Sequence, residues 1–226
     1  MLWKLIKLEV KKTKWRGMLL SALLTTVLLV LWVVGSDVPN NEVHTYDRAF
    51  VSIMNYVGIT FIVFASVLMS RMVIDEYRNK TITLLFAYPV PRHLIFVAKL
   101  LIIAVWTFAT VLLSNIVVVA MLLLANTKCH YITEALTRNR LLEEALRMVI
   151  FALSTVGAAL VPMFFGMLRK TMPALIVSSF VISNAGMIIV NSEEINRSFS
   201  NFTMVAMLSL VIGSGIAYAG VRRSSL

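Results

Sequence analysis

LLIIAVWTFATVLLSNIVVVAMLLLA, residues Leu100–Ala125, runs for 26 residues without a charge. A hydrocarbon core of ~30 Å needs about 20 apolar residues at ~1.5 Å each, so this stretch can cross a bilayer with tilt to spare. Five further charge-free runs surround it: Gly17–Gly35, Val51–Ser70, Met148–Leu168, Met172–Val190 and Thr203–Val221. The reading is an all-α integral membrane protein, one domain over 1–226, with six transmembrane helices. Pro162 and Pro173 are expected to kink or begin their helices, because proline lacks the N–H of the helical ladder. Composition agrees: 59% of residues are hydrophobic and 14% charged, with mean hydropathy +0.87, against the ~45–50% apolar content of soluble domains.

Orientation follows from the basic residues, since short positively charged loops stay in the cytoplasm. With both termini inside, fifteen of the twenty-one Lys and Arg lie on the cytoplasmic side, and eight of the eleven acids lie outside. A pI near 10.1 would point a soluble protein toward nucleic acid. Here the charge sits in short loops against apolar spans, so its partner is anionic lipid and no nucleic acid is expected. The basic start followed by an apolar run resembles a signal peptide, but its apolar core exceeds the usual ~7–15 residues and no A-x-A pattern follows Gly35. It reads as a retained first span of a multi-pass protein in a bacterial cell membrane.

Ahead of that span, Trp3, Leu5, Ile6, Leu8, Val10 and Trp15 alternate with Lys4, Lys7, Lys11, Lys12 and Lys14. Basic residues on one side and Trp and Leu on the other make an amphipathic helix lying in the inner headgroup layer. Trp3, Lys4, Lys7, Lys11, Lys12 and Trp15 are its expected interface anchors. On the outer side, Ser36–Phe50 and Asn191–Phe202 are short polar connections. In the longer segment 126–147, Thr133 is a candidate N-cap ahead of Glu134. Leu142, Ala145, Leu146 and Val149 fall there on one stripe, with Arg140–Glu144 and Glu143–Arg147 at i,i+4 spacing. A short surface helix leading into the fourth span is expected.

Catalytic and metal constellations are missing from the sequence. None of the nine glycines is followed by Lys, which rules out a Walker-type phosphate loop in this chain. His44, His93 and His130 stand in three separate loops rather than at metal-ligand spacing. There is no G-x-S-x-G elbow, and the lone Cys129 supports neither an internal disulfide nor a thiolate metal site. No catalytic residue, metal site or cofactor is therefore expected in the chain. The spans hold no acid or base of the kind that marks an ion path. They hold neutral polar residues: Asn55, Thr60 and Ser66; Thr107, Thr110, Ser114 and Asn115; Ser154 and Thr155; Ser178, Ser179, Ser183 and Asn184. Such side chains commonly join helix to helix. Gly213, Ala217 and Gly220, with Gly215 and Ala219, set small residues four apart in the last span and predict close packing.

A six-helix unit with no energy source of its own is either passive or driven by a partner. The segment Asp75–Lys99, DEYRNKTITLLFAYPVPRHLIFVAK, is where a partner would grip. Ile74, Tyr77 or Arg78, Thr81, Leu84 and Leu85 follow near-helical spacing up to Pro89. A short amphipathic helix parallel to the membrane is expected, ended by Pro89 and Pro91. Arg92 and Lys99, seven apart, fall on one face of the next helix, from which they are expected to snorkel to lipid phosphates.

This segment resembles the loop signature of type-2 ABC exporter permeases, a Glu, then a Thr, a Leu pair, P-V-x-R and a Lys that opens the third span. Within that class it is most similar to small permeases of bacitracin-resistance and lantibiotic-immunity transporters. Glu76, Thr81, Leu84, Leu85, Pro89, Val90, Arg92 and Lys99 match; Lys80 and Pro91 stand where relatives often carry Gly and Ser. The resemblance implies an exporter subunit with a cytoplasmic coupling helix between spans 2 and 3. A separate P-loop ATPase subunit would receive that helix and carry ATP and magnesium. It also implies a second permease copy, as homodimer or heterodimer, and an amphipathic peptide, antimicrobial or other lipophilic cargo. Asp75, Glu76, Tyr77, Arg78, Thr81, Leu84, Leu85, Pro89, Arg92 and His93 would meet or position the ATPase. The alternative is a passive channel or scaffold without an ATPase.

Overall fold

The structure, a computed structural model, describes residues 2–12, 15–37, 45–74, 92–129, 132, 138–169, 171–190 and 199–224. Every element among them is helical. In chain order these are α1 (Leu2–Lys12), α2 (Trp15–Trp32), α3 (Tyr46–Met69), α4 (Arg92–Cys129), α5 (Arg138–Leu160), α6 (Pro162–Arg169), α7 (Met172–Val190) and α8 (Phe199–Ser224). Wider π-helical turns, Val33–Asp37 and Ser70–Ile74, extend α2 and α3. Four stretches are long and apolar enough to cross a membrane: Trp15–Gly35, Tyr46–Val73, Leu94–Thr127 and Arg138–Gly166. The apolar helices α7 and α8 complete the bundle.

Burial is distributed as membrane residence dictates. The centre is α3, which packs against α4, α5 and α7 and touches α2 and α6; Phe50, Ile53, Met54, Phe61, Ala65 and Met69 on it are at most 1% exposed. By contrast α2 buries a single stripe, Ala22, Thr26, Leu29, Val30 and Val33, and leaves Leu20, Leu23, Leu24, Leu28 and Leu31 more than half exposed. An apolar helix with no polar face suits lipid on its open side.

The core divides into two clusters along the bundle axis. One joins the first half of α3 to Val111–Leu122 of α4, Met148–Ala152 of α5 and Phe202 of α8. The other joins Ile62–Val73 to Leu100 and Ile103 of α4, Ala159, Met163 of α6 and Leu175 of α7. Pro162 breaks the fourth apolar run: α5 stops at Leu160, and Val161 turns the chain through Val161 N–H to Ala158 O (3.3 Å) and Phe164 N–H to Val161 O (3.1 Å). Pro173 is the second residue of α7, where its missing N–H has no intrahelical partner to lose.

The tightest helix contact is between α5 and α8. A Cβ on Gly157 would lie 2.5 Å from Leu210 Cα and Ser209 O, and one on Gly213 would lie 2.0 Å from Gly157 O. Backbone therefore meets backbone at this crossing, as membrane helices with facing small residues permit. Gly215, expected to share the packing role, has nothing within 4 Å; the side chains of Ala217, Ala219 and Gly220 lie outside the described residues. The α5 stripe Leu142, Ala145, Leu146 and Val149 is exposed, while Glu144, Met148, Phe151 and Ala152 turn inward. The helix expected ahead of the fourth span is thus continuous with it from Arg138 onward; Thr133 and Glu134 lie outside the described residues.

Candidate coupling site

The ends of the segment singled out in the sequence meet at the α1 end of the bundle. Met72 lies in the π-helical turn that closes α3, and Lys99 lies two turns into α4. Lys99 Nζ donates to Met72 O at 2.8 Å. The same ammonium is 3.8 Å from the Glu9 carboxylate on α1, with the two side chains 1% and 15% exposed. Lys99 is therefore not a lipid-facing anchor. An uncompensated ammonium is costly to bury, and here a carbonyl and a carboxylate meet it, so the side chain turns inward and fastens α4 to α3 and α1. A lysine in the first turns of a helix also carries no sequence mark of which neighbour it will face.

The anchor residues of α1 separate by face. Trp3 is 78% exposed and Lys7 and Lys11 are exposed, whereas Leu5, Ile6 and Glu9 are half-buried on the side toward α4. Trp15 is half-buried, with its indole N–H donated to Val10 O and its ring 4.9 Å from Trp106 of α4. It ties the junction of α1 and α2 to the bundle. The side chains of Lys4 and Lys12 lie outside the described residues. So do Asp75, Glu76, Tyr77, Arg78, Thr81, Leu84, Leu85 and Pro89, with the whole of the expected coupling helix. Arg92 and His93 open α4, their side chains likewise outside.

Some of the neutral polar residues of the spans form seams between helices, while Thr60, Thr110, Thr155, Ser178, Ser183 and Asn184 donate to carbonyls of their own helices. Thr26 Oγ1 of α2 is 2.9 Å from Ala22 O and 3.3 Å from Ser114 Oγ of α4. Ser66 of α3 donates to Val63 O (2.7 Å) and accepts from Ser179 of α7 (3.1 Å). Ser154 of α5 and Ser209 of α8 are 2.9 Å apart, beside the glycine crossing. Each seam is worth about 0.6 kcal/mol by the average for such bonds in membranes. Ser179→Ala is accordingly expected to lower the detergent melting temperature only slightly, by a degree or two. Asn115 and Thr107 depart from this pattern: both are buried, and neither Asn115 amide atom nor Thr107 Oγ1 has a hydrogen-bond partner among the described residues.

A cavity of ≈ 90 Å³ opens between α3, α5, α7 and α8, beside Asn55, Gly58, Phe151, Ser154, Ser183 and Ser209. Ligand pockets for drug-sized molecules are ~300–1,000 Å³, so this space is too small for one. No group of three or more His, Cys, Asp or Glu that could hold a metal occurs among the described residues.

At the far end from α1, Asn126 closes a small polar lock. Its Nδ2 donates to Tyr46 OH (2.9 Å) and Ile132 O (3.3 Å), and its Oδ1 accepts from Ile132 N–H (2.8 Å). Nearby, Arg147 Nε is 3.7 Å from Glu144, and Arg140 Nη1 reaches Asp47 of α3 at 3.8 Å. Asn126 and Tyr46 carried no sequence signal; a polar residue at the end of an apolar run looks like any loop boundary.

A family model described as "ABC-2 family transporter protein" matches residues 5–186, from α1 through most of α7, and the chain belongs to that family of membrane permeases. It is also 35% identical over 225 residues to the "Uncharacterized protein YcbO" of Bacillus subtilis (strain 168), an alignment that covers 97% of each chain.

Proposed function

We propose that the chain is the permease subunit of a bacterial ABC exporter, with six spans, both termini in the cytoplasm and a separate P-loop ATPase docked on 75–93. The observation that carries this reading is the Lys99–Met72 contact, which holds the two ends of that segment together at the α1 end of the bundle. Membership of the ABC-2 family supports the same reading. The chain has no phosphate-binding loop of its own, so ATP and magnesium belong to the partner. Closure of the ATPases would pull the segment and switch the permease between two arrangements.

Cargo would pass between two permease copies. The cargo best matched to such a route is an amphipathic peptide, an antimicrobial or another lipophilic molecule, with self-protection or resistance as the role. The test is Glu76→Lys in vesicles that contain the chain and the ATPase that copurifies with it. Transport and permease-dependent ATPase stimulation are expected to vanish while membrane insertion is unchanged. Retained coupling, or failure of any ATPase to copurify with the parent, overturns the reading and favours a passive channel or scaffold.

A further inference from the structure

The small cavity has its back wall on α3 and α5 and its sides on α7 and α8. Gly58, Ile59 and Ile62 line it from the middle of the apolar stretch Tyr46–Val73, which sets it near the bilayer midplane. Its surface is overwhelmingly apolar, and the hydroxyls at its edge are already engaged: Ser154 with Ser209, Thr155 with Phe151 O and Ser183 with Phe180 O. A buried water needs about two to four polar partners, so this wall is a poor host for one. The rim is open on the α7 side, where a Cβ on half-buried Gly186 would meet nothing within 4 Å. The flanks continue into the lipid-facing surface, on which Val177 and Val181 of α7 and Met204, Leu208 and Val211 of α8 are at least 50% exposed.

From this geometry we infer that the cavity is a binding site for the end of a phospholipid acyl chain. At ≈ 90 Å³ it is smaller than the ~150 Å³ apolar cavity that stays dry and admits benzene. It therefore takes part of a molecule, and the remainder stays outside. At the midplane the medium outside is itself chain ends, so a lipid reaches the opening with its headgroup still at the interface and gives up no hydration on entering. Moving a chain from lipid to protein brings no hydrophobic gain. The gain is the dispersion contact that the walls of an empty void lack. The chain end thus becomes part of the packing between α7 and α8, and it makes the stability of the bundle depend on bound lipid. Only membrane residence is needed for this, not the permease reading.

Photolabelling of the full chain tests the site without any ATPase. The chain is reconstituted in phosphatidylglycerol vesicles that hold a trace of the same lipid with a diazirine at the end of one acyl chain, irradiated, and mapped by mass spectrometry. Adducts are expected on Thr155 and Ile62, 3% and 6% exposed and so out of reach of surface lipid, as well as on exposed Val181 and Val211. A diazirine placed near the headgroup is expected to spare Thr155 and Ile62. Gly186→Phe, which fills the opening, is expected to cut labelling of those two residues about tenfold through loss of occupancy and to leave Val181 and Val211 unchanged. Val205→Phe, from the α8 wall, serves where Gly186→Phe does not insert. Added phosphatidylglycerol is expected to raise the detergent melting temperature of the parent by several degrees more than that of the filled variant. Absence of adducts on Thr155 and Ile62, or adducts that persist in both filled variants, overturns the inference. So does a disulfide-linked dimer of Gly186→Cys in a Cys129→Ser background, which shows that a second copy of the chain covers the opening.

Discussion

Gly213→Leu is expected to leave little folded protein, whereas Gly215→Leu, two residues along the same helix, is expected to be tolerated. At Gly213 even a methyl group would lie 2.0 Å from the Gly157 carbonyl oxygen and 2.6 Å from its carbon. The obstruction is main chain, which cannot rotate away as a side chain does. Overpacking of ordinary cores costs about 1–3 kcal/mol; forcing two helix backbones apart lies at or beyond the top of that range. The separation would also open the Ser154–Ser209 seam beside it. At Gly215 nothing lies within 4 Å and the position is exposed. Leucine there gains about 0.8–1 kcal/mol of helix propensity over glycine. Fluorescence size-exclusion profiles and melting temperatures in detergent separate the two. Equal behaviour would mean that α5 and α8 do not cross in contact at Gly157.

Asn126→Leu is expected to loosen the end of the bundle remote from α1 without unfolding the spans. The substitution removes three hydrogen bonds, to Tyr46 OH, Ile132 O and Ile132 N–H. At ~1 kcal/mol each, the loss is about 2–3 kcal/mol, concentrated in the chain around Ile132. Ile132 is 4% exposed and belongs to the larger core cluster, so releasing it also opens apolar contacts with α3 and α4. Hydrogen exchange at the Ile132 amide should accelerate on the order of 30- to 100-fold, with little change around Lys99. Asn126→Asp should fall between the two, since a carboxylate still accepts from Ile132 N–H and Tyr46 OH but cannot donate to Ile132 O.

How much was legible in the sequence differs by element. Length and hydropathy located the apolar part of each long helix, because a lipid-facing helix must be apolar for its whole crossing, but not its ends: α4 starts at Arg92 rather than Leu100 and α5 at Arg138 rather than Met148. The interruption at Val161–Pro162 was legible for the same kind of reason, a backbone group that proline cannot supply. Facing was not. Leu142, Ala145, Leu146 and Val149 form an apolar stripe that a soluble protein would bury, but here it is exposed and Glu144 turns inward; in lipid the hydrophobic stripe does not mark the inside. Gly213 was marked by the spacing of small residues, but its partner Gly157 has Leu153 and Val161 at that spacing, and Gly215 meets nothing. For Lys99 the deciding groups are Met72 O and Glu9, remote in sequence. No local pattern distinguishes a lysine that reaches for them from one that reaches for lipid.

The Glu9–Lys99 contact also sets an order on biogenesis. Glu9 leaves the ribosome ~90 residues before Lys99, and two apolar runs must enter the bilayer in between. Until α4 arrives, α1 lacks the Lys99 contact and waits at the membrane surface, held by its own basic and aromatic side chains. Once α4 is threaded, Lys99 draws α1 against it, so α1 takes its place only after a helix made well after it.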